Sequence, residues 1–204
     1  MANAIFTKEH IMFIPLKIPA YPSFSDDELV AFCMANPGLG VERNEYDQLY
    51  INATPTSALI SSNNSELIGE LGIWNREYKA GKVVDSNGAF FLGDSSMRVP
   101  DVAWIHIDRW NAMSKAEKRS FPRMAPDFII ELKSETDSLR YLQKKMIKWI
   151  ENGVRLAWLV CPDSQTTYIY EPDKPQLAMH FEETLSGGEV LVGFSTRLSD
   201  ILEY

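Results

Sequence analysis

Between Asp127 and Lys133 the run Asp-Phe-Ile-Ile-Glu-Leu-Lys is apolar at every even position and carries its charges at odd ones, with Ile129 among them. Side chains point to opposite faces at successive strand positions, so Phe128, Ile130 and Leu132 share one face, and Ile129, Glu131 and Lys133 the other. The apolar face marks a central strand. A helical period follows directly: Leu139, Leu142, Met146, Trp149 and Ile150 form an inward stripe over residues 138–152, closed by Gly153. Two further strands are expected at 155–161 and 167–171, joined by Pro162-Asp163-Ser164-Gln165. A helix between the strands at 127 and 155 implies a crossover, hence at least one parallel pair.

Upstream, Ser25 and Glu28 form a capping box opening a helix with Leu29, Phe32 and Cys33, stopped at Asn36-Pro37-Gly38. Residues 41–53 read as a hairpin or two short strands, with Leu49 and Ile51 on one face. Leu67, Leu71, Trp74 and Tyr78 recur at helical steps, predicting a helix over about 63–79 with Gly81 as its stop. Short strands are expected at 82–84 and 89–92 around the turn sequence Asp85-Ser86-Asn87-Gly88, and a third at 98–107. Ser114 and Glu117 suggest a second capped helix over 114–121, and residues 189–194 an edge strand. The four tryptophans Trp74, Trp104, Trp149 and Trp158 fit core stripes, whereas Trp110 is expected to be exposed in a loop.

The 204 residues suit one domain, with a sizeable core, and the pattern predicts an α/β fold with a mixed sheet. No apolar run is long enough to span a bilayer. Lys8, Glu9, His10 and Lys17 interrupt the apolar patches of the N-terminus, so no secretory signal is expected and a cytoplasmic location is. Cys33 and Cys161 sit in apolar segments and read as free buried thiols; His10, His106 and His180 show no ligand spacing. The formal net charge of −8 argues against a broad basic surface, although a cation-binding site must itself be acidic.

Chemistry concentrates where charge interrupts apolar strands. Glu131 and Lys133 emerge together from one face of the 127–133 strand, and Asp101 stands in Val99-Pro100-Asp101-Val102-Ala103-Trp104. Charged groups in such positions are costly unless they pair or bind an ion. If the two strands are neighbours, Asp101 and Glu131 converge as hard oxygen ligands suited to magnesium, with Lys133 beside them. Simpler readings exist for each. Glu131 and Lys133 could form only a salt bridge, Asp101 could start a turn, and Lys144, Lys145 and Lys148 could line a solvated helix face. Asp127 also follows a proline but is expected at the strand's beginning, away from the ligands.

Pro100-Asp101 followed by Glu131-Leu132-Lys133 resembles the signature of the PD-(D/E)XK nuclease superfamily, and the chain looks like its Uma-two branch. The wider likeness runs through Val41-Glu42-Arg43-Asn44, Asn64 with Leu67, Leu71, Trp74 and Asn75, and the segments around Asp101 and 126–134. It ends in Asp137-Ser138-Leu139, Leu142-Gln143, Lys145-Met146, Asn152-Gly153 and Trp158-Leu159-Val160. The resemblance implies a restriction-endonuclease-like fold, a mixed central sheet flanked by helices, filling residues 1–204 as one nuclease-like domain with an N-terminal helical and strand extension. It implies cleavage of DNA with Mg2+ (or Mn2+ as substitute), Asp101 and Glu131 as metal ligands and Lys133 as the catalytic lysine. An added acid from the first core helix would be Glu66, ahead of Glu70, with Glu42 on the early strand a third candidate. Lys145 matches a lysine of the following helix that could face the site or a phosphate, and pairing into a homodimer is implied loosely. A catalytically idle nuclease-like fold serving binding or assembly is the alternative, and hydrolysis of RNA or a small phosphoester a third reading.

Overall fold

The computed structural model describes residues 14–15, 24–36, 39–52 and 56–204. The interrupted N-terminal segment before Ile14, residues 16–23, Pro37-Gly38 of the expected helix stop and the end of the second expected strand at Ala53 lie outside them. In chain order come strand β1 (Ile14–Pro15), helix α1 (Asp26–Ala35), strands β2 (Gly40–Arg43) and β3 (Leu49–Asn52), and helix α2 (Ala58–Tyr78). Strands β4 (Gly81–Val84), β5 (Phe90–Phe91), β6 (Met97–Arg98) and β7 (Val102–His106) lead to the short helix α3 (Ile107–Ala112). Then follow β8 (Phe128–Leu132), α4 (Leu139–Glu151), β9 (Leu156–Cys161), β10 (Thr166–Tyr170), β11 (Leu177–His180), β12 (Thr184–Ser186) and β13 (Ser195–Arg197).

The main sheet has the order β11-β10-β9-β8-β7-β4. Its β8–β9 pair is parallel, with Glu131 opposite Leu159, and α4 is the crossover; its other pairs are antiparallel. The mixed sheet is thus as expected from the helix between two strands. A second sheet, β1-β3-β2-β6-β5, lies beside it with α1, and β12–β13 make a separate hairpin.

Strand alternation sorts the core into two layers. On one side of the main sheet, Val102, Trp104, Phe128, Ile130 and Trp158 pack with Leu67, Leu71 and Trp74 of α2. On the other, Ala103, Ile105, Ile129, Ala157 and Leu159 pack with Leu142, Met146 and Trp149 of α4. Each such large side chain removed from water contributes roughly 1.5–3 kcal/mol. Trp74, Trp104, Trp149 and Trp158 are all buried core residues as the stripes require.

Several boundaries differ from the sequence reading. Helix α2 begins at Ala58, because Ser57 caps it by accepting the Ile60 N–H. The polar run Ser61-Ser62-Asn63-Asn64 is therefore helical; buried Asn63 bonds both the Glu203 carbonyl (2.7 Å) and N–H (3.0 Å). The helix ends on Lys79 in the left-handed region (φ 52°), and Gly81 is already in β4, where a Cβ would collide with Trp104 and the Ile105 carbonyl. The expected strand 98–107 is split at Val99-Pro100-Asp101, since proline supplies no N–H to a ladder. Ser114 and Glu117 do exchange capping bonds, yet only a 3-10 turn (Glu117–Arg119) follows. Trp110 lies in α3, partly buried under Lys118, and is not in a loop. The edge strands of the main sheet are β11 and β4; residues 189–194 lie in the turn region of the β12–β13 hairpin.

Candidate active site

The split between β6 and β7 creates the site. β7 pairs with β8 so that Val102 opposes Ile130 and Ala103 opposes Ile129. One further step along that register sets Asp101 opposite Glu131. Asp101 Oδ2 accepts the Leu132 N–H at 2.7 Å, so its carboxylate stands in for a missing ladder carbonyl and is pinned beside the end of β8. Glu131 points toward α4, and its Oε1 accepts the Trp149 indole N–H at 2.9 Å. Both acids face a cleft of about 490 Å³ whose far wall is the first turns of α2, including Asn64.

Lys145 sits at the centre. It is 5% exposed and on the inner stripe of α4, and its ammonium lies 2.9 Å from Glu131 Oε1 and 3.0 Å from Oε2. It also lies 2.9 Å from Glu42 Oε1 and 3.2 Å from the Val99 carbonyl. Glu42 comes from β2, and its Oε1 also accepts the Val99 N–H at 3.0 Å. Glu42 Oε2 is buried, with no hydrogen-bond partner among the described residues. A salt-bridged trio of Glu131, Lys145 and Glu42 thus adjoins Asp101.

Burial dominates the electrostatics. It pushes the Glu131 carboxyl up to about 8, against the pull of Lys145 and with help from Asp101 and Glu42. It likewise raises Asp101 to about 6, against the Leu132 N–H and Lys145. Lys145 is driven the other way: burial disfavours its charge, but Glu131 and Glu42 outweigh that and raise its pKa. Acids held this high reflect their removal from water, which Lys145 offsets only in part.

The remaining candidates are placed as follows. Lys133 continues the β8 ladder through its N–H to the Val160 carbonyl, but its ammonium goes to Asp163 Oδ2 (2.8 Å) and the Ser134 carbonyl (3.1 Å) and does not line the cleft. Glu66 is exposed on α2 and Glu70 half-buried there, neither lining the cleft; the acid brought to the site is Glu42. Of the lysines on α4, Lys144 is exposed and Lys148 pairs with Glu151, so only Lys145 enters the site. Asp127 lies at the opposite end of β8, buried, accepting the His106 N–H (2.8 Å) and pairing with Arg109 (2.9 Å). Both cysteines are free, Cys161 buried and Cys33 partly so.

Asp101 and Glu131 offer hard oxygen donors in a pocket whose raised acids a divalent cation would neutralise, so they fit magnesium. Among the described residues no three carboxyl, imidazole or thiol groups form a ready cage. Magnesium, which keeps several waters, does not require one.

A mixed sheet with a parallel β8–β9 pair, helices on both faces and acids at the broken β7 entry define a restriction-endonuclease-like fold. Residues 26–199 match the Uma2 family, described as "putative restriction endonuclease", and the chain belongs to that family. The fold is similar to a crystal structure of a "putative nuclease belonging to DUF820" from Anabaena variabilis, with a TM-score of 0.68 at 17% identity. That match covers 79% of this chain and 89% of the other. No curated protein matches the chain. No helix among the described residues is long and apolar enough to cross a membrane.

Proposed function

We propose that the chain is a metal-dependent DNA endonuclease. Family membership and fold support a nuclease-like function; the metal, the substrate and the residue roles are our reading. The observation that carries it is the convergence of Asp101 and Glu131, from two adjacent strands, on one cleft at a break in the sheet. Asp101 and Glu131 hold Mg2+, or Mn2+ in its place. When bound there, such a cation would supply Lewis-acid stabilisation of phosphoryl charge and would lower the pKa of a water. The Leu132 N–H orients Asp101 and the Trp149 N–H orients Glu131, so both acids are aimed before substrate arrives. Lys133 shares the face of Glu131 and orients the attacking water. To do so its ammonium, on a side chain only 8% exposed, exchanges Asp163, whose carboxylate is about half exposed, for the water.

The engagement of Lys133 by Asp163 also favours a second reading, a catalytically idle nuclease-like fold that binds rather than cleaves. Nicking of supercoiled plasmid with Mg2+ or Mn2+, for wild type, Asp101→Ala and Lys133→Ala, separates the two. Nicking by wild type alone supports the enzyme. Equal background in all three removes it.

A further inference from the structure

Lys145 already holds the carboxylate that the proposed cation needs. Glu131 Oε1 accepts from both Trp149 and Lys145, and Oε2 accepts from Lys145. An ammonium has three protons, and here four acceptor atoms on Glu131, Glu42 and Val99 share them, leaving none for substrate. A divalent cation on Glu131 would repel an ammonium on the same carboxylate. Yet Lys145 has little access to water: it is 5% exposed at the wall of the cleft, on the α4 stripe between Leu142, Met146 and Trp149. A buried charge that loses one partner must find another inside the protein. The acceptor at hand is Glu42 Oε2, buried and unpartnered on a carboxylate whose other oxygen Lys145 already touches.

We propose, resting on the metal-binding reading above, that Lys145 is an exchangeable counterion. It occupies Glu131 while no divalent cation is present and turns onto Glu42 Oε2 when one binds. Glu42 is then a positioning residue that receives the ammonium and is not itself a metal ligand. The device keeps Glu131 paired in both states and sets a threshold for cation binding, because each bound ion must displace the ammonium.

Calorimetric titration with Ca2+, which binds without requiring cleavage, tests this on wild type, Lys145→Met, Glu42→Gln and the double variant. Removing the competitor tightens Ca2+ binding about tenfold, and removing the receiving carboxylate weakens it about fivefold. The loss from Glu42→Gln is smaller in the Lys145→Met background, where nothing needs to be received. A loss that is equal or larger there makes Glu42 a direct ligand and overturns the proposal, as does Ca2+ binding no tighter in Lys145→Met than in wild type. Absence of Ca2+ binding in all four proteins removes the metal reading as well. Should Lys145→Met fail to fold, the Lys145 ammonium resonance of wild type gives the same answer: it shifts on Ca2+ addition, and an unmoved resonance in the Ca2+-bound protein overturns the exchange.

Discussion

Trp149→Phe probes how firmly the site is built into the core. The substitution deletes an indole N–H 2.9 Å from Glu131 Oε1 and part of a fully buried ring that meets Phe90 edge-on. The hydrogen bond should contribute about 2 kcal/mol when Glu131 is ionised and about 1 kcal/mol when it is neutral. The lost ring volume adds roughly 1–2 kcal/mol of cavity cost. A double-mutant cycle with Glu131→Met separates the two, because the cavity cost cancels between the arms. Urea unfolding at pH 9, above the Glu131 pKa of about 8, should give a coupling near 2 kcal/mol, and at pH 6 about half that. Coupling below about 0.5 kcal/mol at both pH values would refute the claim that the core aims Glu131.

Other outcomes follow from the same geometry. Asp127→Ala should cost about 2–3 kcal/mol in urea unfolding, since it strips a buried acceptor from the His106 N–H and a partner from the partly exposed Arg109. Its Ca2+ affinity should stay at the wild-type value, because it lies at the far end of β8. The pH dependence has a definite sign. A carboxyl raised in the folded state keeps a proton that the unfolded chain releases, so stability is greatest at low pH and declines as pH rises toward the folded pKa. In EDTA, wild type should lose about 1 kcal/mol per pH unit between pH 6 and 8 through Glu131, and Glu131→Gln should flatten that slope. Stability rising across that window in wild type would contradict the burial assigned to Glu131.

Much of this site is legible in the sequence because local periodicity determines it. The alternation at 128–133 puts Glu131 on the face opposite Phe128, Ile130 and Leu132, the face that α4 covers, and the α4 period with the strands around it gives the parallel pair. Lys145 carried a signal too: it falls three residues after Leu142 and four before Trp149, on the apolar stripe, where a solvated lysine does not belong. Reading it with Lys144 and Lys148 as a charged face obscured that. Glu42 had no comparable local signal. Its burial depends on contacts with Val99 and Lys145, far along the chain, and the resemblance ranks Glu66 ahead of it although Glu66 is exposed on α2. The redirection of Lys133 to Asp163 is likewise a tertiary event, set by the 3-10 turn after β9. The start of α2 was obscured because Asn63 is held in the helix by the distant Glu203 backbone.

The central claim is that Asp101 and Glu131 share a divalent cation. Anomalous diffraction from crystals soaked in Mn2+ tests it directly. A single strong peak bonded to an oxygen of each acid is the expected result, lost in Asp101→Ala. A fully occupied Mn2+ bound elsewhere, with this cleft empty, would contradict the account.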